Sequence, residues 1–292
     1  MDSGSYQGQS KEVILRTDAA GPDPMTDDRY EVLAVKYAEL KRDARSNFVD
    51  GDAHETHDMP LDYFVWVARN DERTIVIDTG FGDAVAIERG RTITHSVAEG
   101  LEAAGVDTAD VRDVVISHLH YDHCGNDDLF ANARYHLQDD EMTYATGRHM
   151  CHRAIAHAFE PDYVVSVVRR VYAGRVAFHD GDDTLAPGVT LHRLGGHTMG
   201  LQVVRVETAQ GPVVLASDAS HFYAHFENDR VFPVVYNVGD VLEGYRTLYR
   251  LAGPGQRIIP GHDPLVLERY PPASDATAGW IARLDLDLRR PA

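Results

Sequence analysis

The sequence predicts an α+β protein, and three observations carry that expectation. From Tyr30 onward, short runs rich in β-branched and aromatic residues are separated by turn residues, as strands require. Two other stretches space apolar residues three and four positions apart and end at glycine, as amphipathic helices do. Between Gln138 and Phe178 a mostly helical segment interrupts the β-rich succession.

Taken in order, residues 1–29 are polar, hold Gly21, Pro22 and Pro24, and read as an N-terminal arm, mobile or strap-like. Residues 30–292 read as a single domain. Tyr30 to Leu40 (YEVLAVKYAEL) is the first strand. Asp62–Arg69 and Arg73–Gly80 flank a turn at Asn70-Asp71 and predict a hairpin. SVAEGLEAAGV places Val97, Leu101 and Ala104 on one helical face and stops at Gly105. Val111 to Ser117 is a strand. Residues 138–178 form the helical insertion, with simple packing over a sheet or a role as lid or pocket wall both open. Further strands are expected at Val189–Leu194, Leu201–Thr208, Pro212–Ser217 and Arg257–Gly261. Gly239–Gly253 is a helix with Leu242, Tyr245, Leu248 and Leu251 inward.

The chain has 292 residues and a formal charge of −18, so its surface is strongly acidic. That charge repels phosphates and argues against a nucleic-acid partner. It leaves a small-molecule substrate open, because a pocket can carry a local field of opposite sign. No apolar run approaches a membrane span, and the N-terminus lacks the basic start and apolar core of a secretory signal. Only two cysteines occur, Cys124 and Cys151, which could form one disulfide, although a reducing cytoplasm is the simpler expectation.

Chemistry concentrates in SHLHYDHCGN, Ser117 to Asn126, where His118, His120, Asp122 and His123 fall within one short loop after a strand. Residues two apart on extended backbone point the same way, whereas adjacent ones diverge. The loop can therefore feed two neighbouring metal positions. More ligands are needed to close them. His197 in LGGHTMG, Asp218 in VVLASDAS and His262 in RIIPGHDP each follow an apolar strand and small residues. Imidazole and carboxylate donors suit Zn²⁺ first, and also Mn²⁺, Fe²⁺ or Co²⁺. The histidines of HMCHRAIAHAF, His149 to Phe159, read as a polar helix face or a third metal site. Asp50 to Asp58 reads as a solvated loop.

Taken together, HxHxDH, GGHT, SDAS and PGHD, preceded by IDTG at Ile77–Gly80, resemble the metallo-β-lactamase-fold hydrolases over roughly Tyr30 to Tyr270. The resemblance implies a four-layer αβ/βα sandwich with two divalent metal ions at one edge. It also implies roles: His118, His120 and His197 on the first ion, Asp122, His123 and His262 on the second, Asp218 bridging, and Asp78 orienting the ligand loop. Two such ions sharing a hydroxide would open a small cyclic ester, with Asp122 or Asp218 carrying a proton to the leaving group. A thioester or an amide or lactam is the alternative substrate. Within the superfamily the chain is most similar to the N-acyl-homoserine lactonases and pyridoxolactonase-like lactonases. Those place a tyrosine three residues after the bridging aspartate. Here that position is His221, with Tyr223 two further on. Either can meet the substrate carbonyl, or both simply pack. Phe222, Tyr223 and Phe226 read equally as pocket lining or core. A homodimer through the arm or the helical insertion is compatible with the sequence. A scaffold that had lost its chemistry would show gaps among the ligands, and none is seen.

Overall fold

A computed structural model of the protein describes residues 28–289. The expected arm over residues 1–29 lies outside the described residues, except for Asp28 and Arg29.

Strands β1 (Glu31–Leu40) and β2 (Leu61–Arg69) pair antiparallel and supply the longest apolar runs. Their side chains alternate between two cores. Val32, Ala34, Phe64 and Trp66 face one, while Leu33, Val35, Tyr37, Tyr63 and Val65 face the other. Burial on both faces explains why these runs are nearly continuous in apolar residues. Strand β3 (Thr74–Ile77) returns antiparallel to β2 through a turn in which the Asn70 side chain accepts from the Glu72 and Arg73 amides. The short β4 (Thr92–Ile93) pairs with the end of β1. Strands β5 (Asp113–Val115), β6 (Arg134–Gln138) and β7 (Val176–His179) then add in parallel to β3.

The second sheet holds β8 (Asp183–Ala186), β9 (Val189–Arg193), β10 (Gln202–Val206), β11 (Val213–Ser217) and β12 (Ile258–Pro260), in the order β12-β11-β10-β9-β8. A last strand, β13 (Ile281–Arg283), returns to the first sheet beside β1. Helices α1 (Asp83–Arg89) and α2 (Val97–Ala103) cover the outer face of the first sheet. So do parts of α3 (Asp139–Thr146) and α5 (Pro161–Tyr172), between which lies the short α4 (Arg153–Ala156). After β11 come α6 (Tyr223–Glu227) and α7 (Val238–Ala252), and α8 (Leu265–Arg269) follows β12. Helix α7 packs on β11 and β12. The result is a four-layer αβ/βα sandwich, as the resemblance implied.

The structure sharpens several expectations. Strand β5 is shorter than Val111–Ser117. Strands β6, β7, β8 and β13 were not read from the sequence, because runs of three to five residues carry little periodicity. Val176–Phe178, expected in the helical segment, belong to β7. Helices α3 to α5 connect two parallel strands, a connection that must cross from one end of the sheet to the other. On α7 the buried stripe runs through Val241, Tyr245, Leu248 and Ala252, leaving Leu242 and Leu251 only partly buried. Cys124 is buried, Cys151 is exposed, and both are free, so they form no disulfide. Among the described residues no helix is long and apolar enough to cross a membrane.

Candidate metal centre

The site sits at the carboxyl ends of β3 and β5 in one sheet and of β11 and β12 in the other, where parallel strands open a crevice. The first half is a single loop. After β5, Ser117 donates its amide to Asp78 Oδ1 (2.7 Å) and its hydroxyl to Asp78 Oδ2 (2.8 Å). Asp78 itself follows β3 with φ at 61°, a left-handed conformation that aspartate tolerates. It also accepts from His123 Nδ1 at 2.7 Å. With a carboxylate as acceptor, Nδ1 must carry the proton, so Nε2 of His123 is left as the free ligand atom. It lies 3.5 Å from Asp122 Oδ2 and 3.4 Å from Asp218 Oδ1.

A second brace holds the other side of the loop. The buried Glu141, in the first turn of α3, accepts from the Leu119 amide (2.8 Å), the Thr198 hydroxyl (2.6 Å) and the Gly200 amide (3.1 Å). It therefore ties the loop bearing His118 and His120 to the loop bearing His197. Gly200 permits this approach, since a Cβ there would stand 2.2 Å from the Glu141 amide nitrogen. Burial raises the Glu141 carboxyl above its ordinary range, while its three donors pull it back.

The second half comes from strand ends far apart in sequence. His197 follows β9, Asp218 follows β11 and His262 follows β12. His262 Nδ1 donates to the Asp62 carbonyl (2.9 Å), which turns Nε2 to within 3.0 Å of Asp218 Oδ1. Gly261 lets Asp218 in, because a Cβ there would lie 2.6 Å from Oδ1. His197 Nε2 approaches Asp218 Oδ2 at 3.2 Å, and His118 Nε2 approaches it at 3.8 Å.

Four groups of donor atoms lie within 4.8 Å of one another: His118, His120 and His197; His118, His123 and Asp218; Asp122, His123 and His262; His197, Asp218 and His221. Their hydrogen bonding fits cations better than protons. His118 Nε2, His123 Nε2, both His197 nitrogens and Asp218 Oδ1 are buried with no hydrogen-bond partner. Asp218 Oδ1 lies close to His262 Nε2 without hydrogen-bond geometry. Buried polar atoms left this way are costly unless something else satisfies them. Burial and the neighbouring imidazoles hold His118 and His120 well below the usual histidine range, so they are neutral donors. Against the burial penalty, the charges of His123 and His262, themselves raised by the facing carboxylates, keep Asp122 and Asp218 ionised. A metal ion would displace those protons, because neutral imidazoles and ionised carboxylates are the forms that bind metals.

The structure thus brings His118, His120, Asp122, His123, His197, Asp218 and His262 to one cleft, with Asp78 directly behind. His221 is there too, its Nε2 3.0 Å from Asp218 Oδ2 and its ring stacked on Phe232 at 3.8 Å. Burial pushes it down to about 3 despite Asp218.

Tyr223 is a correction. Its ring lies under the Arg269 guanidinium (3.7 Å) and beside Phe226, its hydroxyl has no partner, and it does not line the cleft. The helix that begins at Tyr223 turns residues 221 and 223 in different directions. Phe222 and Phe226 are also core. His149, His152 and His157 form no ligand group among the described residues. In the Asp50–Asp58 loop, Asp50 and Glu55 pair with Arg230. Glu141 was missed: in the sequence it stands in an acidic first helical turn, DDE, which looks like a solvated helix start.

Residues 59–263 match the metallo-beta-lactamase superfamily. The chain belongs to that superfamily. Among curated superfamily proteins it is 28% identical to an N-acyl homoserine lactonase of Bacillus sp. over 189 residues, 59% of this chain and 70% of that one. It is 28% identical to the N-acyl homoserine lactonase AttM of Rhizobium johnstonii over 60% of this chain and 66% of that one. The fold is similar to that of an N-acyl homoserine lactone hydrolase with N-hexanoyl-L-homoserine bound at its catalytic metal centre. That structure has a TM-score of 0.65 and 22% identity, with 80% of this chain and 93% of that one covered. It is also similar to AidC, a dizinc quorum-quenching lactonase, with a TM-score of 0.65 and 17% identity over 80% of this chain and 87% of that one.

Proposed function

We propose that this superfamily member is a metal-dependent hydrolase that opens a small lactone ring at the cleft between its two sheets. The observation that supports it most is the set of buried, unpartnered imidazole and carboxylate atoms facing one another. The lactonase relatives supply the reaction class. His118, His120 and His197 would hold one ion, Asp122, His123 and His262 a second, and Asp218 both. When bound, such a pair supplies water made acidic near neutral pH and polarises a carbonyl oxygen.

The chain's own residues do the rest. In the overall reaction the water oxygen bonds to the carbonyl carbon and the acyl–oxygen bond breaks. The ring oxygen leaves as a hydroxyl with one proton, and the hydroxy acid gives up the other. Asp122 and Asp218 are the carboxylates placed to carry a proton to that oxygen. His221 lies 3.0 Å from Asp218 Oδ2 and lines the cleft, so it is the group we assign to the substrate side of the site.

Within the same reading, zinc is the first choice of metal, on the donor set. The substrate is a small molecule, and neither nucleic acid nor a membrane is a partner, on the charge of −18 and the absence of a long apolar helix among the described residues. The two free cysteines favour a cytoplasmic setting. Residues 30–292 act as one domain, the segment within 138–178 walls the cleft through His157 and Ala158, and that segment or the 1–29 arm offers a route to a homodimer.

The test is elemental analysis of purified protein with turnover of lactone, thioester and β-lactam panels before and after chelation. Two metal equivalents and chelator-sensitive lactone opening are expected. Undiminished turnover after exhaustive chelation would overturn the proposal, and preferential thioester cleavage would replace it with the alternative substrate.

A further inference from the structure

Three arginines line the same cleft as the ligand groups: Arg42, Arg89 and Arg91. They differ in how they are used. Arg89 donates to the His157 and Phe159 carbonyls, lies 3.6 Å from the Glu160 carboxylate and covers the Tyr121 ring. It is a structural clamp. Arg91 donates through Nε to the Tyr121 hydroxyl (2.9 Å) and otherwise to the Arg89 carbonyl. Arg42 donates to the Ser46 carbonyl. Among the described residues, the hydrogen bonds of Arg42 and Arg91 go to carbonyl and hydroxyl oxygens and neither closes an ion pair with a carboxylate. Other half-buried arginines close ion pairs, as Arg69 does with Glu31, Arg170 with Asp127 and Arg283 with Asp285, or, like Arg175, spend their donors on backbone carbonyls away from the cleft. Asp43 acts on Arg42 and Asp122 on Arg91 through space without closing an ion pair, so in a chain of net charge −18 these two guanidiniums keep donors free to meet an anion at the cleft.

The two are also near each other and near the ligands. Burial, with the charge of Arg91 adding, pushes Arg42 below the ordinary arginine range. The Tyr121 hydroxyl that receives Arg91 is 3.2 Å from the Tyr63 hydroxyl, and the Tyr63 ring packs edge-on against His262 at 5.0 Å. One aromatic layer therefore separates the guanidiniums from the metal-ligand groups. The cleft holds only about 120 Å³, well under the roughly 300–1,000 Å³ of sites that take drug-sized ligands. That volume suits a compact ring at the reacting end.

We propose that Arg42 and Arg91 form a recognition site for an anionic substituent, a carboxylate carried on the lactone ring. The inference rests on the lactone reading above for the reacting end of the substrate. Guanidinium groups suit it because they stay charged in a half-buried setting and grip a planar carboxylate with paired N–H donors. Two of them on one side of the cleft fix which way round the ring enters.

The experiment compares a γ-lactone bearing a ring carboxylate with its matching carboxamide, on the metal-loaded full chain. The wild type is expected to show kcat/KM at least about tenfold higher for the carboxylate, the scale of charge-assisted hydrogen bonds. Arg42→Gln and Arg91→Gln should each collapse that ratio towards one, and Arg42→Lys should restore part of it. Arg246→Gln, an exposed residue of α7 paired with Glu243, controls for net charge and should keep the wild-type ratio. A ratio near one in the wild type, or one unchanged in both cleft variants, overturns the proposal. Calorimetry with succinate separates the two readings. If neither lactone turns over yet succinate binds roughly tenfold more weakly to both cleft variants, the anion site stands and the lactone assignment falls. Equal succinate binding by wild type and variants removes the anion site whatever the turnover.

Discussion

The two halves of the metal centre are built differently. The first-sheet half is one loop, residues 118–123, braced from behind. Asp78 grips Ser117 and His123 on one side, and Glu141 grips Leu119 on the other. The second-sheet half is three separate strand ends. His197 has no partner for either ring nitrogen, and Asp218 is approached by His118, His123, His197, His221 and His262. Strand register and the small residues at the turns place this half. The first half is thus pre-organised by carboxylates, whereas the second relies on strand register, on turn glycines and, at His262, on the Asp62 carbonyl. The difference teaches that the braces control both halves, because Glu141 reaches Thr198 and Gly200 as well as Leu119.

Breaking the shared point should have the largest effect. Asp218→Ala is expected to lose several kcal/mol of transition-state stabilisation, about three decades in kcat/KM, together with metal content measured by elemental analysis. Removing a brace should do less. Asp78→Asn deprives His123 of its charged acceptor and should weaken metal binding roughly 10–100-fold in a competitive chelator titration. Glu141→Gln should fall at the low end of that range while disturbing both loops. If Asp78→Asn and Glu141→Gln left metal affinity at the wild-type value, the template view of the first half would be wrong.

His225 sits in α6, just beyond the second-half ligand Asp218, accepts from the Phe222 amide and donates to the Asn47 carbonyl. Burial pushes it down to about 4, below its ordinary value near 6.5. Above pH 6.5 both folded and unfolded chains hold it neutral, and its contribution is intact. As pH falls from 6.5 to 4 the unfolded chain takes up a proton that the fold refuses, so stability drops, levelling off below 4. The loss is at most about 3 kcal/mol. Urea unfolding of metal-free protein should show it as a steeper acid slope than in His225→Gln; equal slopes would remove this role. The smallest effect is expected at Tyr223→Phe. Its hydroxyl is buried without a partner and away from the cleft, so kcat/KM should move less than about twofold and stability by less than about 1 kcal/mol. A drop of tenfold or more would return Tyr223 to the substrate.

Much of this was legible beforehand. The β-rich runs at Tyr30–Leu40, Asp62–Arg69 and Arg73–Gly80 announced a first strand and a hairpin, whereas the pairing of the first two and their burial on both faces came only with the structure. HxHxDH, GGHT, SDAS and PGHD each follow their own strand and turn, so the residues that meet in the cleft could be named as candidates beforehand. What escaped had weak local signals. Strands β6 to β8 are short, at four or five residues each, and β7 and β8 are also half-exposed. Glu141 resembles any acidic helix start until α3 is packed against two loops. Tyr223 was misread because two positions along the chain mean different directions once a helix begins.

The amino-acid pattern alone determined the α+β succession, the order of the ligand-bearing strand ends and the kinds of donor available, because period-two alternation and turn chemistry act over a few residues. The tertiary structure decided which residues share a space. It set Glu141 between two loops, turned Tyr223 away, and placed Arg42 and Arg91 on one wall of the cleft. Those outcomes depend on sheets packing face to face and on loops meeting at one edge. No local pattern encodes distances between segments that come together only when the core closes.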